Sequence, residues 1–278
     1  MPTCQHTLLS DDILITHNID IIALQEPAVN HFNFSIASKD WISTYPSTHS
    51  TLPGKTRTLM LIHAAICTDL WEQIDFPSGN VTVVKIKGEW GNLTLFNMYN
   101  EGKSDETLSA LKLFHSTRHK TANHTNADTD HTMWVGDFNQ HHPHWDDPND
   151  MRLFTAGALK DAESLIETLA TLGLEMALPN GIPTHLHNIT KRWLRLDQVF
   201  ISDHSTELIK VCDTETHFRS INTDHLPIVT QLNLKIELTP PICNTQFPGN
   251  RLGKILYSTG NPTNRARYTS SNKESAAA

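Results

Sequence analysis

Four acidic positions fall at similar places along the 278-residue chain. Glu26 closes the apolar run in DIIALQEP, and Asp137 closes MWVGD, with Asn139 two residues on. Asp197 sits in LRLDQVF, and Asp224-His225 precede LPIV. A carboxylate that ends an apolar strand is held at the rim of a sheet, where loops collect ligands. Three or four gathered there repel one another. A divalent cation removes that repulsion and brings a Lewis acid. Oxygen-rich ligation suits Mg2+ or Mn2+ rather than zinc. Each residue alone has a plainer role: a solvated loop acid, a turn cap, a half-buried histidine. The ordered set, not any one member, carries the chemical reading.

Other residues are weaker candidates. His141, His142 and His144 invite a zinc reading, but His-His-Pro-His lacks the geometry of a helical ligand pair. A polar loop with Trp145 folded back onto the domain is expected there. Cys4, Cys67, Cys212 and Cys243 are scattered, with no C-x-x-C pair. They read as isolated reduced thiols of an intracellular protein.

The elements that must position the acids follow from periodicity. DIIALQEP, TLMLIHAAI, TMWVGD, LRLDQVFIS and HLPIVTQLNLKIEL read as strands. VTVVKIKG and LTLFNMYN read as a hairpin with Gly91-Asn92 in its turn. Ser104 is a candidate N-cap for a helix carrying Leu108 and Leu111 on one face. Leu165, Leu169 and Leu172 repeat at helical spacing over about 158–172, and Gly173 is a natural stop. From Pro240 onward the chain is rich in Asn, Ser, Thr, Pro and Gly without sustained period, so 240–278 is expected to be a disordered polar tail behind a 1–239 domain.

Composition bounds the partners. Hydrophobic residues make up 38% of the chain, enough for a substantial core. A formal net charge of −8 is no general attractor for nucleic acid, although the tail is locally basic. No apolar run reaches the roughly 18–20 residues of a membrane span, and the N-terminus has no signal-peptide pattern. No membrane partner is expected.

The motifs Q-E-P at 25–27, N-x-Y at 97–99, G-D-F-N at 136–139, L-D-x-V-F at 196–200 and T-D-H-x-P at 223–227 resemble the endonuclease/exonuclease/phosphatase superfamily. The chain is most similar to the endonuclease domains of non-LTR (LINE-type) retrotransposons, over about residues 18–236. The resemblance implies an α/β four-layer sandwich, DNase I-like, with two packed, mostly antiparallel β-sheets flanked by helices. It implies a Mg2+- or Mn2+-dependent phosphodiester hydrolase that nicks DNA, working inside the cell and in the nucleus. Glu26 and Asp224 would serve the metal. Asp137 would hold or deprotonate the attacking water. Asn139 and Tyr99 would bond the phosphate, as would Thr184 and Asn97 as substrate-binding residues. His225 would face the scissile phosphate, oriented by Asp197.

The family pattern opens with an Asn-bearing strand ahead of Q-E-P. Only MPTCQHTLLSDDILITHN precedes Asp20, and Asn18 falls elsewhere. The first strand is therefore expected to be missing, with an unpaired seam left in one sheet and the chain a truncated copy of such an element. Two alternatives stand beside nicking: a phosphatase or phosphodiesterase for small or lipid phosphates, and an inactive remnant that only binds.

Overall fold

The computed structural model describes residues 18–35, 38–121, 130–219, 223–237 and 250–259. The predicted apolar runs become strands, and their alternation sorts each into two faces. In chain order these are β1 (Ile21–Gln25), β2 (Trp41–Thr44), β3 (Thr58–His63), β4 (Trp71–Ile74), β5 (Val81–Gly88), β6 (Gly91–Tyr99) and β7 (Asp130–Asp137). They continue as β8 (Leu174–Met176), β9 (His185–Leu186), β10 (Trp193–Leu194), β11 (Asp197–Ser202), β12 (Ile209–Thr214), β13 (Ile228–Glu237) and β14 (Asn250–Thr259). One six-stranded sheet has the order β12-β13-β14-β1-β3-β2, and the other β4-β5-β6-β7-β11-β8. Pairing is antiparallel except for β1 with β14 and β6 with β7.

The sheets pack face to face over one core. Ile21, Ala23, Met60 and Ile62 from the first meet Val84, Leu95, Val135 and Val199 from the second. The second sheet's outer face, with Phe96, Trp134 and Phe200, is covered by Leu108 and Leu111 of α1 (Glu106–Thr121) and Leu165 and Leu169 of α2 (Ala156–Leu172). The first sheet's outer face, with Ile22, Trp41, Leu59 and Leu61, is covered among the described residues by Ile19 and Phe218 rather than by an α-helix. The Thr155 hydroxyl caps α2 by accepting from the Ala158 N–H, and Gly173 ends it at φ 59°. No helix among the described residues is long and apolar enough to cross a membrane.

Three expectations are corrected. Gly88 pairs with Gly91, so the hairpin turn is Glu89-Trp90, and Gly91-Asn92 already belongs to β6. Trp90 holds that tip by donating from Nε1 to the Lys235 carbonyl of the facing sheet, 2.9 Å away. The tail expected to be disordered contributes β14, with Leu256 fully buried. The anticipated unpaired seam is also closed, because β14 lies between β13 and β1. An open edge on β1 would leave a row of backbone groups unpaired, and β14 satisfies it although its sequence shows little period. Residues 240–249 and 260–278 of the expected tail lie outside the described residues, as do Cys4 and Cys243. Cys67 and Cys212 are free thiols.

Arg195, 2% exposed, is the main polar tie below the strand ends. Its Nε donates to Gln198 Oε1 at 2.9 Å, and its terminal nitrogens donate to the carbonyls of Trp145, Leu178 and Pro179. Trp145 is folded back as expected, buried, with Nε1 donating to the Gln140 carbonyl at 3.0 Å.

Candidate active site

Strand register assembles the first half of the site. In the parallel pair β6/β7, Tyr99 stands beside Asp137, and in the antiparallel pair β7/β11, Asp137 stands opposite Asp197. The last residues of two strands and the first of a third therefore form one row at the sheet's rim. Gly136 makes this possible. It adopts φ 155°, and a Cβ there would come within 2.0 Å of the Met98 carbonyl oxygen. Beyond the strand, Asn139 turns back at φ 52°. Its Nδ2 donates to the Asn100 carbonyl at 2.9 Å, and its N–H donates to Asp137 Oδ1 at 3.1 Å.

The other sheet supplies Glu26, just past β1 at φ 48°. Its N–H donates to the Arg57 carbonyl at 2.7 Å, because Gln25 and Thr58 are partners in the β1/β3 ladder. Arg57 Nη1 reaches Glu26 Oε1 at 2.6 Å, and its guanidinium lies 4.5 Å from the centre of the Tyr99 ring. Arg57 thus joins the two sheet ends. Burial pushes the Tyr99 hydroxyl up to about 12, and Glu26 adds to the effect, so this phenol keeps its proton.

His225 comes in from the turn before β13. Its Nδ1 lies 2.8 Å from Asp197 Oδ2, with both residues buried. Burial by itself disfavours the imidazolium. The Asp197 carboxylate outweighs it, helped by Asp137 and Asp224, and the pKa rises to about 9. Asp137 is shifted upward as well, by burial first and then by the charges of Asp197 and Glu26, while His225 and the Asn139 N–H oppose the shift. Asp224 is pulled down to about 2, chiefly by its contact with His185, whose Nε2 is 3.6 Å away. Asp137, Asp197 and His225 each present one atom within 4.8 Å of the others.

Two expected substrate contacts sit too deep to reach one. Asn97 is fully buried between the sheets, where Nδ2 donates to the Leu24 and Leu59 carbonyls at 3.0 Å each and Oδ1 accepts from Gln25. Thr184 is also fully buried, and its hydroxyl accepts from the N–H groups of Leu196 and Asp197. Both residues position the site from behind. His141 pairs with Asp146 at 3.2 Å, while the His142 ring lies tilted against those of His144 and Trp145, so the three loop histidines do not converge on one point.

A divalent cation suits this donor set. Buried carboxylates crowd together, and Asp224 Oδ1 is buried without a hydrogen-bond partner.

Residues 93–229 match the family model described as endonuclease-reverse transcriptase. That segment carries N-x-Y, G-D-F-N, L-D-x-V-F and T-D-H-x-P, four of the motifs that resemble the endonuclease/exonuclease/phosphatase superfamily. The chain's fold is similar to that of the endonuclease domain of TRAS1, a telomere-specific non-LTR retrotransposon. That match has TM-score 0.59 and 19% identity, covering 82% of this chain and 91% of that one. It is also similar to the AP endonuclease LMAP of Leishmania major, with TM-score 0.61 and 13% identity over 80% and 82% of the two chains. A 3′ phosphatase, NExo, from Neisseria, bound to a product DNA hairpin, matches at TM-score 0.53 and 17% identity over 80% and 92%. No curated protein sequence matches. The sequence motifs pointed to Glu26, Asp137, Asn139, Tyr99, Asp197, Asp224 and His225, and the structure brings these residues to neighbouring strand ends. The motifs did not indicate Arg57 or His185, whose places depend on ladders between distant segments.

Proposed function

We propose that the chain is a divalent-metal-dependent phosphodiester hydrolase that nicks DNA. The observation that carries this reading is the Asp197–His225 pair set against Asp137 at the shared rim of the sheets. Asp137 takes the proton of a water that attacks phosphorus. The His225 imidazolium, fixed through Nδ1 by Asp197, meets the charge that grows on the phosphate oxygens. Tyr99 donates its retained proton, and Asn139 adds an amide donor at the same end. Glu26 and Asp224 would hold Mg2+ or Mn2+, which when bound supplies Lewis-acid stabilisation of charge on the phosphate and the departing oxygen. Supporting the choice of DNA are the product DNA hairpin bound to the NExo neighbour and the retrotransposon origin of TRAS1.

The test is relaxation of supercoiled plasmid with Mg2+, lost in Asp137→Ala and His225→Ala. Inorganic phosphate released from inositol phosphates without nicking would move the assignment to the small-phosphate reading. Neither activity, with no rise in melting temperature on adding Mg2+, would leave the binding-only reading.

The site's ionisation gives a pH prediction. Asp137 acts as a base only when deprotonated, and its raised pKa moves the acidic limb toward neutrality. His225 supplies a cation only below about 9. The profile of kcat/KM is therefore a bell whose alkaline limb falls near that value. A profile still rising well beyond it would contradict the cationic role of His225.

Arg57 predicts a second effect. Its guanidinium occupies the Glu26 carboxylate that a metal would use. Arg57→Ala is expected to tighten Mg2+ binding by about two- to fivefold, read by titration calorimetry. Unchanged or weaker binding would separate Glu26 from the metal.

A further inference from the structure

We propose that His185, Asp224 and His225 form a second cation site, suited to a borderline transition-metal ion of the zinc type, and that filling it silences the enzyme. The binding half stands on geometry alone; the silencing half rests on the nuclease reading above.

One ligand atom from each of the three residues lies within 4.8 Å of the other two. The edge of a zinc tetrahedron with bonds of about 2.0 Å is about 3.3 Å, so little closure is needed. Two imidazoles and one carboxylate favour zinc or cobalt over magnesium, which keeps oxygen ligands and water. The backbone holds the three together in advance. His185 and His225 form an antiparallel bridge, with Leu186 N–H donating to the Asp224 carbonyl at 2.7 Å and Leu226 N–H to the Thr184 carbonyl at 2.6 Å. Their rings are 4.5 Å apart.

The outer shell is also built. His225 commits Nδ1 to Asp197, which leaves Nε2 to bind, and a carboxylate behind the imidazole is the usual partner of a metal-ligating histidine. Asn188 Nδ2 donates to Asp224 Oδ2 at 2.8 Å, so that carboxylate is oriented as well. Meanwhile His185 Nδ1 and Asp224 Oδ1 are both buried without a hydrogen-bond partner. Protein groups alone leave this corner unsatisfied, which is costly in a buried place and is relieved when an ion or its bound water enters.

Occupancy removes His225 from the phosphate and Asp224 from the catalytic metal. Zinc and magnesium therefore compete, and zinc wins on imidazole affinity.

The probe is Co2+, whose visible absorption becomes intense in a tetrahedral site. Titrated into the full chain without other metals, it is expected to give one such band, displaced by equimolar Zn2+. His185→Ala should lose the band and weaken Zn2+ binding at least about tenfold to a hundredfold. The double variant His142→Ala/His144→Ala should keep both, since those rings lie in a separate loop beside Trp145. Circular dichroism and melting confirm that each variant is folded, with His185→Gln replacing any that is not. In the plasmid assay with Mg2+, zinc should stop the parent at concentrations that leave His185→Ala active. No tetrahedral band in the parent, or an identical band in His185→Ala, overturns the site. A band lost in His185→Ala while zinc inhibits both proteins equally overturns the silencing alone. An inactive parent sinks the nuclease reading and the silencing built on it, and leaves the binding result to stand by itself.

Discussion

Asp137→Asn is expected to slow phosphodiester cleavage by about 10²- to 10⁴-fold and, at the same time, to raise the melting temperature. The two effects have one cause. Asp137 is buried opposite Asp197 with the Glu26 charge nearby, so its ionised form is disfavoured in the fold. A carboxyl that holds its proton more tightly when folded destabilises the fold progressively as pH rises from the unfolded value, 3.8, through the raised native one. The neutral amide removes that penalty while keeping the shape. The stability gain should thus be small in acid and larger at neutral pH. Plasmid nicking and thermal melts at two pH values measure both parts. A variant that cleaves at the parental rate sinks the proton-acceptor role, and one that melts lower at every pH sinks the electrostatic account.

Arg195→Ala should be among the most destabilising single changes, by about 3 kcal/mol or more in urea unfolding. The guanidinium is 2% exposed and serves the carbonyls of Trp145, Leu178 and Pro179 along with Gln198 Oε1. Truncation leaves those acceptors buried and unmatched. Arg195→Lys keeps the charge but not the planar fork, so it should recover only a minor part of the loss. Full recovery by lysine would mean that charge, not directed hydrogen bonding, holds this corner. Because the same carbonyls anchor the Trp145 loop and the segment leading to Thr184, either variant should also loosen the N–H support at Asp197.

The residues most legible in the sequence end or begin strands. Glu26, Asp137 and Asp197 interrupt apolar runs, and a charged side chain there has few places to go but the rim. Asn97 misleads for a reason of depth. It lies two residues before Tyr99 and so faces the same side of β6, but about 6.6 Å further from the rim, between the sheets. Motif matching reports which residue is present, not how far along the strand it lies. Thr184 belongs to the same class: its hydroxyl is spent on backbone donors before any ligand arrives. Arg57 was hidden because it precedes an apolar run, and only the β1/β3 register sets it opposite Glu26. His185 needed a bridge to a residue 40 positions later. Most strands were readable as apolar or alternating runs, whereas β14 was masked by Asn, Gly, Ser and Thr, residues that usually mark loops.

The position of β14 bears on how this polypeptide is made. A strand from residues 250–259 lies parallel to one from residues 21–25, so the sheet that presents Glu26 is completed by almost the last segment described. During vectorial translation, β1 leaves the ribosome with one flank unclaimed and waits for more than two hundred further residues. At about 5–20 residues per second, that interval is of the order of ten seconds or more, long enough for chaperones or neighbouring nascent chains to find the bare flank. Pairings that span the whole contour are slow to form in any case. Alignment of the rim is therefore acquired late, only once residues 250–259 have emerged, and a product terminated before them would carry the acidic residues without the strand that completes their sheet.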